Sequence, residues 1–189
     1  SVLLGKEVEI FNIRKNRPKP GIFAQHLTSI KSAAILCGAQ VKGDFLGSQK
    51  VFFSPKEFKG SSLNINIGTA GSISLLLQSL ALPCFLEETK LRVTGGTDVP
   101  FAPSANYLNE VFRPVLSGFN AKFDLKILNY GFYPKGGGTA LFKSHRLKKL
   151  KPISIVSRGK LIEVKIFSHS SNLPSSVAKA QAVAAKRGL

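Results

Sequence analysis

The sequence has no methionine, not even at position 1, and only two cysteines in 189 residues. It has 10 acidic residues against 27 lysines and arginines. No apolar stretch approaches the about 18 residues that a membrane-spanning helix needs. Each shortage excludes something. Cys37 and Cys84 both sit inside apolar helical patterns, which rules out a disulfide-stapled mini-protein and reads as two reduced core thiols in a cytoplasmic chain. Without a long apolar run nothing is expected to span a bilayer, and the N-terminus lacks the charged-then-apolar pattern of a secretory signal. The chain opens on the uncapped apolar stretch Ser1-Val2-Leu3-Leu4 and closes on Lys186-Arg187-Gly188-Leu189 at the end of a helical pattern. Together with the missing Met, these ends lead us to expect an internal piece of a longer protein. What is present is foldable: 43% hydrophobic and 20% charged residues exclude a disordered tail and a collagen-like chain. The length suits one well-cored domain, or one and part of a second. The shortage of acids leaves a formal net charge of +17. Such a field draws polyanions, phosphates above all, unless it only keeps the surface solvated.

Periodicity divides the chain into short elements. Residues 7–13 alternate polar and apolar as a half-buried strand does, and the prolines and glycine between Arg14 and Gly21 mark a loop. Helical spacing predicts helices over 24–37, 69–82, 104–117 and 174–187, with Gly38 stopping the first and Pro83 the second. Strands are expected at 39–45, 49–53, 62–67, 90–94, 121–128, 138–143, 153–156 and 161–167. The order strand, helix, strand, strand recurs, and residues recur with it. Cys37-Gly38-Ala39-Gln40-Val41 is answered by Ser117-Gly118-Phe119-Asn120-Ala121, and Phe53-Ser54-Pro55 by Phe132-Tyr133-Pro134, both about 80 residues on. The expected fold is therefore α/β of the α+β type, built by duplication of a unit of about 80 residues that lays helices on one face of a sheet. The basic run from Lys143 to Lys151 precedes Pro152, and a boundary near 157 separates residues 1–157 from the beginning of a further α/β domain at 158–189.

Four segments could carry chemistry. In the first, Arg14 and Arg17 offer planar forks suited to phosphate oxygens on a loop stiffened by Pro18 and Pro20. Gln25 and His26 follow in the first turn of a helix, where free N–H groups and the dipole favour an anion. The set reads as a phosphate cradle, or as a solvated basic loop with His26 satisfied at the helix start. The second, Ile67-Gly68-Thr69-Ala70-Gly71-Ser72, runs from strand to helix like a phosphate-binding turn. It lacks the dinucleotide fingerprint and the P-loop lysine, and its glycines serve close packing equally well. Gln78, among Leu75, Leu76, Leu77 and Leu80, is a lone amide that needs a structural or ligand partner. In the third, Gly95-Gly96-Thr97-Asp98 to Ser104, Pro103 and Tyr107 stand one helical turn apart and could sandwich a base, or Tyr107 could belong to the edge of the core. The fourth, Gly131 to Gly138, is turn chemistry and reads as structural. Metal-ligand clusters, a nucleophile elbow and a Walker A loop are missing, and neither His145 in its lysine-rich run nor His169 among serines reads as a nucleophile.

Taken in order, these stretches resemble the RNA 3′-terminal phosphate cyclase family. They are Asn12-Ile13-Arg14 through Arg17-Pro18-Lys19-Pro20-Gly21, Gln25-His26-Leu27-Thr28, Ile67 to Ser72, and Gly95-Gly96-Thr97-Asp98 with Ala102-Pro103. Gly131-Phe132-Tyr133-Pro134 with Gly136-Gly137-Gly138, and Ser171-Asn172-Leu173-Pro174, complete a likeness running from about residue 5 to the end. The resemblance implies repeated α/β units in a large catalytic domain, here incomplete over 1–157. It also implies a smaller inserted domain, shaped like the C-terminal domain of a bacterial translation initiation factor, begun at 158–189. It implies an enzyme that uses ATP, with Mg²⁺ or Mn²⁺, to convert an RNA 3′-phosphate end into a 2′,3′-cyclic phosphate through enzyme-AMP and RNA-adenylate intermediates. On this likeness Arg14, Arg17, Gln25 and His26 hold the triphosphate, Gln78 contacts ATP, and Pro103 and Tyr107 flank the adenine. Tyr107 stands where the family often carries Phe, and Ser104 where a proline is common. A Gly-rich segment with a metal-serving glutamate is expected before Ser1 and the nucleophilic histidine after Leu189, so that the piece alone is expected to be inactive. The rival readings are a non-catalytic cyclase-like scaffold of ribosome assembly and a plain RNA-binding module. Retention of Arg14, Arg17, Gln25 and His26 favours the enzyme, and the oligomeric state is left open.

Overall fold

A computed structural model describes residues 1–189. The first sheet holds β1 (Val8–Ile10), β2 (Gln40–Lys42) and β3 (Val51–Ser54) in the order β1-β3-β2, both pairings antiparallel, with α1 (Ala24–Cys37) between β1 and β2 in the chain. The second holds β4 (Ser62–Asn66), β5 (Lys90–Gly95), β6 (Phe123–Asn129) and β7 (Gly138–Ser144) in the order β4-β5-β7-β6. There β4 runs parallel to β5 and is joined to it by α2 (Ile73–Cys84), while β5-β7 and β7-β6 are antiparallel. Between β5 and β6 the chain coils through α3 (Ala105–Tyr107), a π-helical turn at Leu108–Phe112, and α4 (Arg113–Gly118).

Strand, helix, strand, strand thus occurs twice with one pairing scheme: β1-β3-β2 and β5-β7-β6 both place their last strand in the middle. The mixed α+β class and the duplication both stand. Of the two sequence landmarks, the helix ends match. Gly38, at φ 59°, closes α1 with its N–H donating to Ala34 and Ile35 carbonyls, and α4 ends at Gly118. The other pairing fails. Phe53 lies in β3, whereas Phe132 lies in the turn ahead of β7, the strand that occupies the position of β3.

Alternation along the strands of the second sheet sends Ile65, Leu91, Val93, Phe123, Leu125, Ala140 and Phe142 to one face. These form one core with Ile73, Leu76, Leu77, Leu80, Ala81 and Cys84 of α2. Each buried leucine there contributes about 2 kcal/mol. Cys37 and Cys84 are free and buried, and burial pushes the Cys84 thiol up to about 12. No helix is long and apolar enough to cross a membrane.

The helices depart from their sequence-based bounds for local reasons. α2 begins at Ile73 rather than 69 because Gly68 to Gly71 form a turn and Ser72 caps the helix, its hydroxyl accepting the Leu75 N–H. It also runs through Pro83 to Cys84. A proline in the final turn removes one hydrogen bond but keeps a helical φ. The helix expected over 104–117 is interrupted because Pro114 has no N–H to give to Glu110. The preceding turn widens, and the Arg113 N–H donates to the Leu108 carbonyl instead.

The compact units are Ser1–Lys151 and Pro152–Leu189, so the division falls six residues before the boundary read near 157. The basic run belongs to the first unit: the Leu147 N–H donates to Phe85 and the Lys151 N–H to Phe119. In the second unit the strands expected at 153–156 and 161–167 are not formed, and α5 (Ser175–Arg187) is its one regular element. Ile155, Val156, Leu161 and Ile162 are exposed. Their apolar, β-branched character marks strand propensity, but a strand needs a neighbour to hydrogen-bond, and none is present in this unit.

Candidate functional site

Because β4 and β5 are parallel, their C-terminal ends lie side by side, with the start of α2 between them. The structure brings the first three sequence segments to this end of the sheet. The bond that joins them is long-range: the Gln25 side-chain oxygen accepts the Ser72 N–H at 2.9 Å, tying the start of α1 to the start of α2.

Arg14 is held by its own loop. Its Nη1 donates to the carbonyls of Lys19 at 2.7 Å and Gly21 at 3.3 Å, and the guanidinium lies 3.7 Å over the Phe23 ring. Its Nε and Nη2 donors have no partner in the chain and can turn to a ligand. Gly21 makes this loop possible: at φ 86°, a Cβ on it would come within 2.1 Å of the Gly47 carbonyl oxygen. The Phe23 N–H donates to His26 Nδ1 at 3.1 Å. That bond assigns the neutral ring a proton on Nε2, which makes Nε2 a hydrogen-bond donor. Burial, and then the nearby Arg14 charge, hold the His26 imidazole below its ordinary value of 6.5. Arg17 contributes only a backbone contact, its N–H donating to the Arg14 carbonyl at 3.0 Å, and its side chain is exposed without a partner.

The glycine turn is braced from several sides. Asn66 Oδ1 accepts the Gly68 N–H at 2.9 Å, and Thr69 Oγ1 accepts the Gly71 N–H at 3.1 Å. The Thr69 and Ala70 N–H groups donate to nothing in the chain. A Cβ on Gly96 would meet the Ala70 carbonyl oxygen at 2.6 Å, so the turn packs directly on the end of β5. Close packing and an open pair of N–H donors coexist there.

Two buried serines carry the connection onward: Ser72, the last residue of the second segment, and Ser74, absent from the sequence-based candidates. The Ser72 and Ser74 hydroxyls lie 2.7 Å apart, and Ser74 donates to the Pro103 carbonyl. A continuous string, Gln25–Ser72–Ser74–Pro103, therefore runs from α1 to the start of α3. The only trace of it in the sequence is Ser-x-Ser after a glycine turn. Gln78 stands one helical turn past Ser74 on the same flank of α2, half-buried, with its amide unbonded inside the chain. Tyr107 is exposed, and its neighbour Leu108 enters the core in its place. The Ser104 hydroxyl caps this helix start by accepting the Tyr107 N–H at 3.2 Å.

The fourth segment locks onto the third. The Thr97 N–H and hydroxyl both donate to the Gly131 carbonyl, at 2.8 and 3.1 Å, and the Gly131 N–H donates back to Thr97 Oγ1 at 3.0 Å. A Cβ on Gly136 would reach the Ala70 Cα at 2.9 Å, which places this structural segment against the glycine turn.

Guanidinium, an imidazole N–H and free backbone N–H groups are donors for anionic oxygen, so the set fits a nucleotide's phosphates. It does not fit a metal: nowhere do three carboxylate, imidazole or thiolate groups gather into a ligand set.

Residues 1–185 match the family model described as RNA 3′-terminal phosphate cyclase. A curated protein of that name from Pyrobaculum aerophilum is 45% identical over 194 residues, covering 100% of this chain and 55% of the relative. Those from Ignicoccus hospitalis and Saccharolobus solfataricus are 41% and 37% identical, covering 97% and 98% of this chain and 53% and 55% of the relatives. The chain spans about half the length of the curated relatives it matches.

Proposed function

The chain belongs to the RNA 3′-terminal phosphate cyclase family, and from that premise we propose that it forms the nucleotide-holding part of an enzyme that converts RNA 3′-phosphate ends to 2′,3′-cyclic phosphates at the expense of ATP. The observation that supports this reading is the Gln25–Ser72–Ser74–Pro103 string, which ties the start of α1, beside Arg14 and His26, through the start of α2 to Pro103.

In this reading Arg14 turns Nε and Nη2 to the triphosphate, His26 donates from Nε2, and the Thr69 and Ala70 N–H groups take a further phosphate oxygen. Arg17, already exposed beside them, closes over the tail. Pro103 and Tyr107 flank the adenine and Gln78 reaches the nucleotide with its free amide. ATP supplies the leaving group. A histidine nitrogen bonds to the α-phosphorus as pyrophosphate departs, AMP passes to an oxygen of the RNA 3′-phosphate, and the 2′-OH then attacks that phosphorus and expels AMP. Dividing the reaction this way replaces a poor leaving group with a good one. Fixed donors stabilise the charge that builds on phosphate oxygens at each transfer, and they require no reorganisation to do so.

Neither His26 nor His145 is offered as the nucleophile. His26 Nδ1 is engaged by Phe23 and Nε2 carries the proton, while His145 Nε2 lies 2.9 Å from Asp124. We place the nucleophile outside these residues and expect the piece alone to be inactive. Mg²⁺ or Mn²⁺ is the expected companion of the triphosphate, with no ligand assigned to it in this chain. Two free, buried thiols suit a reducing compartment, and we place the protein in the cytoplasm.

The test is incubation of the full-length protein with α-labelled ATP and Mg²⁺ or Mn²⁺. Acid-labile, alkali-stable label should appear on the protein and be lost in Arg14→Ala. Absence of label with either metal would reduce the protein to a cyclase-like scaffold.

A further inference from the structure

The second sheet is covered by α2 and the core on one face only. On the other, the strand register aligns outward side chains in rows. One row reads Ser62, Lys90, Lys143, Asp124, and the next reads Asn64, Arg92, Leu141, Lys126. The two rows differ electrostatically. In the first, the Glu88 carboxylate lies 3.4 Å from Lys143 and 4.0 Å from Lys90, and Asp124 lies 2.9 Å from His145. In the second, Arg92 and Lys126 are exposed and have no carboxylate within ion-pair distance. They flank the exposed Leu141 over a shallow depression of about 350 Å³. Strands are spaced by about 4.8 Å, so the two cations stand about 10 Å apart across the central strand. Charge is balanced locally in the first row, where Glu88 serves Lys90 and Lys143 and where Asp124 stands beside Lys143, and no such balance is struck in the second.

This face is continuous with the site described above. Asn66, two residues beyond Asn64 on β4, holds the Gly68 N–H of the glycine turn. On β5, Arg92 lies four residues before Gly96, which is about 13 Å of strand.

We propose that this row is a docking track for the body of the RNA upstream of its reacting end, with Arg92 and Lys126 each taking a backbone phosphate of a single strand and Leu141 supporting the sugar between them. The proposal rests on the RNA-end reading given above. The occupant follows from charge complementarity and from position. Two cations without a carboxylate partner, about 13 Å of strand from the proposed nucleotide site to which the RNA 3′ end must be brought, meet the phosphates of that same strand. The rows hold no aromatic side chain, so the track grips backbone rather than stacking bases and reads no sequence.

The test compares the full-length protein with its Arg92→Gln/Lys126→Gln variant, in which both altered side chains are exposed and thermal unfolding should be unchanged. Binding is measured against salt for single-stranded RNAs of about 20 and about 4 nucleotides, both ending in a 3′-phosphate. Loss of two phosphate contacts should flatten the slope of log K against log salt by about 1.4 for the long RNA. The slope for the short RNA and the labelling by ATP should stay unchanged. Equal slopes for the two proteins on long RNA would overturn the track, as would an equal loss on short RNA, which would place the pair at the reacting end. A variant that binds RNA normally but loses polyglutamate would reassign the face to an acidic protein, overturning the proposal. If the unaltered protein takes label from ATP yet binds no long RNA better than short, the track falls alone. If it takes no label and binds no RNA, the function proposed above falls with it.

Discussion

The two sheets repeat one strand-helix-strand-strand scheme, yet they differ in what surrounds it. In the second, β4 lengthens the sheet along β5 and α2 lays seven buried residues over its inner face. In the first, no strand pairs with the other edge of β1, all three β1 residues are exposed, and α1 buries only Ser32, Leu36 and Cys37. Pairing topology is therefore shared by the two repeats, and the deeper core of the second comes with its strand-helix pair β4-α2. The proposed nucleotide frame uses both. Arg14, Gln25 and His26 come from the thinly cored repeat, and the glycine turn and serines from the densely cored one.

The comparison can be broken at several points. The largest effect is expected in α2: Leu80→Ala should cost about 3 kcal/mol, while Ile30→Ala in the half-buried face of α1 should cost about 1 kcal/mol. Urea unfolding of both variants checks this, and equal losses would show that the two repeats are equally cored. Next, Ser74→Ala leaves the Pro103 carbonyl without its donor and the buried Ser72 hydroxyl with only the Leu75 N–H, and should cost about 1–2 kcal/mol. Labelling by ATP should fall along with stability. A smaller effect joins the two repeats. A double-mutant cycle of Gln25→Ala with Ser74→Ala should show a coupling of about 0.5–1 kcal/mol, since both act through Ser72. Strict additivity would mean that the string does not transmit position from α1 to α3.

The smallest expected effect is in pH. The His26 imidazole titrates below 6.5 in the folded chain because burial and Arg14 disfavour its charged form. Its contribution to stability is therefore complete above about pH 6.5 and shrinks as the pH falls below that value, where the unfolded chain takes up the proton more readily. Protonation of Nδ1 also ends its acceptance of the Phe23 N–H. Denaturation midpoints at about pH 7.5 and 5.5 should converge slightly in His26→Ala, and an imidazole that titrates above 6.5 by NMR would contradict the assignment.

Much of this was legible where the cause is local. The bounds of α1 follow from its apolar spacing and from Gly38, and the recurrence of an 80-residue offset at Gly38 and Gly118 announces the duplication. Arg14, Gln25 and His26 stood out because charged and amide groups beside a helix start are rare enough to notice. The rest depends on contacts distant in sequence. Ser72 and Ser74 look like ordinary cap residues until Gln25 and Pro103 are brought beside them, 47 and 29 residues away respectively. Residues 153–156 and 161–167 carry strand-forming side chains but have no partner to pair with. Pro114 signals a disturbance, but not that the turn before it would widen rather than stop.

The buried thiols have a practical consequence for any experiment on this chain. With Cys84 held near 12 and Cys37 also raised, neither forms an appreciable thiolate at neutral pH, and neither is open to solvent. Maleimide reagents should therefore pass both by in the native state. A single cysteine introduced on an exposed strand position would then accept a fluorophore or spin label alone, giving a reporter of known address without first stripping the natural sulfur atoms from the core.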